Sequence, residues 1–128
     1  MEIGITNEVE STVTVNDTAV EMGSGSLQVY ATPSMICLME RAASELADRN
    51  LPEEQTSVGT LMNVKHISAT PVGMKVRATA KLINVDERRL VFEVDAYDEA
   101  GAIGNGTHER FIVNRQKFQS KTDSKRQN

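Results

Sequence analysis

The chain has 128 residues, of which 39% are hydrophobic and 25% charged, and its formal net charge is −4. This length and composition suit one globular domain and exclude wholesale disorder. Three Phe, two Tyr and no Trp, in a chain whose first 114 residues carry a net charge of −8, argue against nucleic acid as a ligand.

The cysteine content and the N-terminal residues limit the cellular compartments in which this chain is expected. Cys37 is the only cysteine, so an intrachain disulfide and a multi-cysteine metal site are both impossible. The first residues contain neither a basic segment nor an apolar core of the kind found in signal peptides, and no apolar run approaches the ~18 residues of a membrane span. We therefore expect a cytoplasmic protein without a membrane partner.

The first 31 residues predict strands and loops. Residues 8–15 alternate between valines and polar residues, which predicts a half-buried strand. Asn16 and Asp17 indicate a turn, and residues 18–22 are a candidate second strand. The Gly-Ser-Gly-Ser segment at 23–26 predicts a flexible loop.

Residues 32–50 predict the helix around which the chain is organised. Thr32 suits the N-cap, and Pro33 suits the first helical position, where a missing N–H costs nothing. The predicted core face is apolar at helical spacing and comprises Met35, Ile36, Met39, Ala42, Ala43, Leu46 and Ala47. Because Cys37 and Leu38 fill the far side, the first two turns are expected to be buried all round, with Glu40 as their only ionisable group.

The remaining elements predict an antiparallel sheet. Four alternating segments are separated by short turns, at residues 56–66, 74–82, 90–96 and 102–113. Short connections force antiparallel neighbours, and the long helix is long enough to cover one face of a five-stranded sheet. The predicted fold is α+β, with one domain over residues 1–115 and a basic tail over 116–128 that is expected to be disordered.

Two glycine features and one histidine stand out within these strands. His66 lies at the end of the predicted inward face of its strand. Gly59 indicates either a bulge or close approach of a ligand, and Gly104 and Gly106 indicate a bulge or sharp bend in the last strand.

Thr32, Glu40 and His66 are the candidate catalytic residues. Each also has a purely structural explanation. Thr32 can be an N-cap, Glu40 a partly solvated carboxylate, and His66 a hydrogen-bonded structural histidine. Together a hydroxyl, a carboxylate and an imidazole supply the groups of assisted acyl transfer or hydrolysis. No metal is expected, since two histidines on separate strands beside Glu109 are a weak metal signal.

Three segments resemble one known family together and in order, the fluoroacetyl-CoA thioesterase-like family of hot dog fold proteins. They are residues 29–40 (VYATPSMICLME), 55–60 (QTSVGT) and 66–74 (HISATPVGM), and the likeness extends over residues 9–113. The resemblance implies a long helix wrapped by an antiparallel sheet, usually in a homodimer. It also implies thioester hydrolysis by Thr32, Glu40 and His66, with the Gly59 N–H stabilising the oxyanion.

The sequence departs from the family before the helix. The fluoroacetyl-specific member closes its pocket with aromatic residues there, whereas this chain has Gly-Ser-Gly-Ser-Leu at 23–27, which argues against fluoroacetate selectivity. We therefore predict an acyl-CoA thioesterase for small or medium acyl chains that needs no cofactor besides the coenzyme A of its substrate. The alternatives are a non-catalytic acyl-CoA or small-ligand binding module and a hot dog enoyl-CoA hydratase.

The nucleotide of coenzyme A needs cations at the pocket rim, because no phosphate-binding glycine loop is present. The candidates are Lys65, Lys75, Arg77, Arg88 and Arg110.

Overall fold

The computed structural model describes residues 1–126, in which five strands form one antiparallel sheet. The strands are β1 (Thr6–Thr12), β2 (Gln55–His66), β3 (Lys75–Asp86), β4 (Arg89–Asp98) and β5 (Gly101–Asn114). Their order across the sheet is β1-β3-β4-β5-β2, so β1 and β2 are the two edges. One long helix lies against the sheet, and the predicted α+β architecture is confirmed.

Three α-helices accompany the sheet: α1 (Ala19–Met22), α2 (Thr32–Arg49) and α3 (Arg115–Asp123). Single 3₁₀ turns occupy Val15–Asp17 and Ser124–Arg126. Among residues 1–126 no helix is both long and apolar enough to cross a bilayer.

The start of α2 differs by one residue from the prediction. The N-cap is Ala31, whose backbone is extended, and Thr32 is already helical. Thr32 therefore does not cap the helix; its hydroxyl is bound to His66 instead. Pro33 falls at the second helical position, where its missing N–H is equally harmless.

The core lies between α2 and the concave side of the sheet. Met35 and Met39 of α2 and Phe92 of β4 are fully buried. Small side chains face one another where the helix crosses the strands, among them Ala42, Ala43, Ala78, Ala80 and Ala96. They allow close approach of the two layers, and the burial of such apolar area is the main stabilising contribution to the fold.

The first turns of α2 are less buried than predicted. Cys37 is exposed, and Ile36 is only partly buried, whereas Leu38 is 6% exposed. The buried stripe thus lies slightly rotated from the predicted one, because the chain before the helix leaves the Cys37 side open to solvent.

A bulge in β2 inverts part of the predicted pattern. The register with β5 shifts between Gly59 and Leu61, so Thr60 has no partner. Before the bulge Ser57 is buried, and Gly59 faces the side chain of Glu40; after the bulge Met62, Val64 and His66 face the helix side. Uninterrupted alternation over residues 56–66 would put Thr56 and Val58 on the same inward face as His66, and this expectation is wrong, because the extra residue reverses the alternation.

The glycines of β5 serve close packing. A Cβ on Gly104 would lie 2.5 Å from the sulfur of Met35, and one on Gly106 would overlap the Asn63 carbonyl. The predicted irregularity is present at Gly104, since the register with β4 shifts between its partner Ala96 and Tyr97. At Gly106 the pairing is regular.

Two segments differ from the predicted secondary structure. Residues 19–22 form α1 instead of a strand, ended by Gly23 in the left-handed conformation with φ of +74°. Residues 115–123 form α3, which apart from Arg115 lies in the 116–128 tail that the sequence predicts to be disordered; its N-cap Asn114 accepts a hydrogen bond from the Lys117 N–H. The last two residues of that tail lie outside the described part of the chain.

Candidate active site

Thr32 and His66 form a direct pair. The first turn of α2 and the end of β2 place the Thr32 hydroxyl 2.8 Å from Nδ1 of His66. This distance is within the hydrogen-bond reach that a hydroxyl and its general base require. The structure therefore brings together two of the three predicted catalytic side chains.

The imidazole of His66 is held in a partly dry environment. Burial lowers the pKa of His66 below its ordinary value, and the nearby Ser68 backbone acts in the opposite direction. Among the described residues, Nε2 is buried without a hydrogen-bond partner. A lowered pKa keeps the ring neutral near pH 7, which is the form that accepts a proton.

A pocket of about 320 Å³ opens beside this pair. Its wall includes Tyr30, Thr32 and His66, and Ser24 of the loop after α1 also contributes. Apart from the imidazole of His66, Tyr30 carries the only aromatic ring among its described lining residues, and it is buried with its hydroxyl donating to the Ser34 carbonyl. Leu27 of the preceding loop is exposed. This pocket therefore lacks an aromatic cover from residues 23–27.

Glu40 and Gly59 form a second cluster. A Cβ at Gly59 would lie 2.8 Å from Oε2 of Glu40, so the absent side chain leaves the space that the carboxylate uses. The Glu40 side chain is 44% exposed, and Gly59 is exposed as well. A carboxylate and a main-chain segment free of side-chain atoms thus lie together at an open surface.

A buried arginine lies directly beneath this second cluster. Arg110 is 7% exposed and donates from Nε to the Ser57 hydroxyl at 2.7 Å and from Nη2 to the Ser57 carbonyl at 2.9 Å. Its Nη1 lies 3.1 Å from Nε2 of His108 and 3.9 Å from Oε2 of Glu40. This network gives no signal in the sequence, because Ser57 faces Arg110 only through the bulge in β2.

The two clusters do not meet within one chain. Eight helical residues separate Thr32 from Glu40, about 12 Å along the axis, and seven strand residues separate Gly59 from His66, about 20 Å. In the part of the chain that the structure describes, residues 1–126, neither Thr32 nor His66 forms a hydrogen bond or an ion pair with Glu40. Convergence of all the predicted residues therefore requires a second copy of the chain.

The predicted rim cations lie in different places. The prediction that Arg110 lies at the pocket rim is wrong, because its side chain is buried. Lys75 and Arg77 pair with Glu10 and Glu8 at the β1 edge, far across the sheet from β2. Lys65 is exposed next to His66, and Arg88 lies in the β3–β4 turn.

His108 has both ring nitrogens engaged by protein groups and so has none left for a metal ion. His108 uses both ring nitrogens, Nδ1 with the Leu61 carbonyl at 2.8 Å and Nε2 with Arg110. Within residues 1–126 no group of three or more His, Cys, Asp or Glu side chains is placed to hold an ion.

Comparison with known proteins identifies the class as the hot dog fold thioesterases. A solved structure of a mutant FlK thioesterase in complex with fluoroacetate and CoA is 34% identical, with a TM-score of 0.87 over 92% of this chain and 99% of that one. A Thermus thermophilus hypothetical protein, described as a thioesterase superfamily member, is 27% identical, with a TM-score of 0.90 over 98% of this chain and 93% of that one.

Sequence comparison identifies the family. The family model described as "FlK: Fluoroacetyl-CoA-specific thioesterase" matches residues 13–116. The fluoroacetyl-CoA thioesterase of Streptantibioticus cattleyicolor is 41% identical over 98 residues, which cover 77% of this chain and 70% of that protein. The chain belongs to the FlK thioesterase family, and the predicted class, an acyl-CoA thioesterase of the hot dog fold, is confirmed.

Proposed function

We propose that this protein hydrolyses small or medium acyl-CoA thioesters to the free acid and CoA, at a site built from both clusters. The observation that carries the proposal is the 2.8 Å contact between the Thr32 hydroxyl and the His66 imidazole beside a pocket, in a chain of this family.

The proposed mechanism assigns one role to each residue. His66 acts as general base and then as general acid, since its lowered pKa keeps it neutral at pH 7. Glu40 orients the attacking water, and the Gly59 N–H binds the oxyanion of the tetrahedral intermediate. Thr32 relays the proton of the attacking water to Nδ1 of His66, since its hydroxyl is bound to that nitrogen and Nε2 is buried.

A covalent route is the second candidate, and the same contact favours it. A hydroxyl 2.8 Å from an imidazole is also the arrangement of a nucleophile and its base. In this route Thr32 gives its proton to His66, attacks the thioester carbonyl and releases CoA, and water then hydrolyses the acyl-enzyme. A burst of CoA equal to the enzyme concentration would indicate this route.

We also propose a homodimer in which two β2 strands pair. β2 is a twelve-residue edge strand, and edges of this length invite pairing with another chain. A twofold antiparallel pairing centred between Met62 and Asn63 brings Gly59 of one copy opposite His66 of the other. Such a dimer unites the Thr32–His66 pair of one chain with Glu40 and Gly59 of the second.

The acyl specificity follows from the open pocket. No aromatic residue from residues 23–27 covers the Thr32–His66 pocket, so we propose that acetyl-CoA and fluoroacetyl-CoA are hydrolysed with kcat/KM values within about tenfold of each other. Side chains and one backbone N–H supply the whole reaction, with coenzyme A as part of the substrate. A cytoplasmic location, where acyl-CoA is made and used, fits this role.

The decisive experiment measures CoA release from acetyl-, fluoroacetyl-, butyryl- and hexanoyl-CoA by wild type and by His66→Ala. Loss of a general base costs about 10²- to 10⁴-fold in rate, so kcat of His66→Ala should fall by that amount while the fold is retained. Lys81→Ala, on the far side of the sheet, is the control. Full activity of folded His66→Ala refutes the mechanism, and absence of release by wild type from every thioester refutes the function.

A further inference from the structure

Arg110 has the geometry of a group fixed in place by its surroundings. Its guanidinium is buried between β2, β5 and α2, and Ser57 accepts two of its hydrogen bonds, at 2.7 and 2.9 Å. Two parallel contacts to one residue set the plane of the guanidinium as well as its position. A surface arginine would have no such constraint.

His108 adds a third anchor from β5. Its Nδ1–H donates to the Leu61 carbonyl at 2.8 Å, which leaves the Nε2 lone pair to accept from Nη1 of Arg110 at 3.1 Å. The ring is 1% exposed, with its centroid 6.3 Å from that of Phe92. Burial is the main cause that lowers the pKa of His108, and the Arg110 charge acts in the same direction. The imidazole is therefore held neutral, as an acceptor.

Glu40 is the carboxylate nearest to this buried cation. Nη1 of Arg110 lies 3.9 Å from Oε2 of Glu40, with 8% of one side chain and 44% of the other exposed. A buried cation attracts a partly buried anion more strongly than a solvated one does. The attraction acts from the interior side, so the outer side of the carboxylate stays open to solvent above Gly59.

We propose that Arg110 is a positioning residue for the Glu40 carboxylate. Ser57 and His108 hold the guanidinium, and the guanidinium holds Glu40 over Gly59. The inference rests on the proposed catalytic role of Glu40. An arginine with only a structural role would contribute to folding, and the effect of its substitution on kcat would be the same with and without the Glu40 carboxylate.

A double-mutant cycle separates these two roles. The proteins are wild type, Arg110→Met, Glu40→Gln and the double variant, with kcat, KM and thermal unfolding measured on each. Misplacement of a catalytic group costs up to about 10²-fold, so Arg110→Met should lower kcat by about 10- to 100-fold with KM changed by less than about threefold. In the Glu40→Gln background the same substitution should cost less than about threefold, because there is no carboxylate left to position.

Control variants keep the cycle interpretable. Arg41→Met removes the exposed arginine next to Glu40 in α2, which pairs with Glu45 at 3.0 Å, and should leave kcat unchanged. If Arg110→Met does not fold, Ser57→Ala replaces it in the cycle, since it removes one anchor and keeps the charge. An equal loss of kcat in both backgrounds overturns the inference and leaves the role of Glu40 intact. Wild-type kcat in Glu40→Gln instead refutes the proposed role of Glu40, and the inference falls with it.

Discussion

The two histidines show how one residue type serves two purposes in this fold. His66 has one ring nitrogen on the Thr32 hydroxyl and lies at a pocket, whereas His108 is enclosed and bound at both nitrogens. The sequence singled out His66 through its place at the end of an alternating strand and through the family resemblance. His108 gave only a weak metal signal, because its Leu61 partner is 47 residues away in the sequence and nothing in the sequence shows that its side chain and that of Arg110, two residues on, turn to the same buried side.

The buried histidines predict a stability that depends on pH. Burial lowers the pKa of both His66 and His108 from the ordinary 6.5, so just below pH 6.5 the unfolded chain binds more protons than the folded chain. The contribution of the two neutral histidines to the free energy of unfolding should therefore be fully present above pH 6.5. It should be lost as the pH drops from 6.5 through their folded-state pKa values. Urea unfolding at pH 7.5 and 5.5 measures this difference.

His108→Gln is the matched variant for that measurement. Its amide can replace one ring hydrogen bond and does not titrate, so the loss of stability between pH 7.5 and 5.5 should be smaller than in wild type. An equal or larger loss would show that His108 is not the titrating group.

At the scale of elements, the long helix was predicted within one residue at its C-terminal end because its apolar spacing repeats over more than three turns, from Met35 to Ala47. Gly59 indicated either a bulge or close approach of a ligand, and the structure has a bulge directly after it, at Thr60; the sequence alone did not decide between the two, because one extra residue shows in an alternating pattern only when its partners are known. Residues 18–22 predict a strand where α1 forms, because the four residues of α1 are too few to show a helical period. The order of the strands in the sheet could not be predicted either. The pairing of β1 with β3 and of β5 with β2 joins segments that are distant in sequence.

The crossing of α2 over β5 predicts a sharp sensitivity at Gly104. A methyl group there would lie 2.5 Å from the Met35 sulfur and 3.0 Å from the Lys65 carbonyl oxygen. Gly104→Ala should destabilise the fold by about 1–3 kcal/mol, the usual cost of overpacking a core. Ala102→Ser, at an exposed position of the same strand, should change the free energy of unfolding by less than about 0.5 kcal/mol. Equal stability of Gly104→Ala and wild type in urea titrations would contradict the close crossing.

At the scale of the whole molecule, a single chain holds the Thr32–His66 pair and the Glu40–Gly59 cluster at different places along β2, and the proposed dimer would join them. The sequence identified the residues of both clusters. It gave no information on the distance between the clusters, because that distance is set by positions along the edge strand β2 and along α2. The predicted convergence of Thr32, Glu40 and His66 is therefore a property that only the proposed dimer can have.

Complementation tests the shared site directly. Glu40→Gln and His66→Ala chains should each be nearly inactive alone, yet a heterodimer of the two contains one site with both native residues. After denaturation and refolding of an equal mixture, activity should recover to about a quarter of wild type, since half of the dimers carry one intact site. The control mixes Glu40→Gln with the double variant, which offers no intact site.

The heterodimers can be isolated with two different affinity tags before the assay. Isolated heterodimers as inactive as their parents would exclude a site shared in this way, and a monomeric wild type in gel filtration would exclude the dimer itself.

The unpaired Thr60 has a consequence for insertions and deletions in β2. Without this one residue Gly59 and Leu61 would be consecutive, and they already pair with the consecutive residues Arg110 and Glu109, so Ser57 and Gly59 would keep their inward orientation. One further residue inserted beside Thr60 would have the opposite effect, because it would turn Ser57 away from Arg110 and Gly59 away from Glu40. Relatives of this protein should therefore tolerate the loss or substitution of Thr60 far better than a second insertion at this point of the strand.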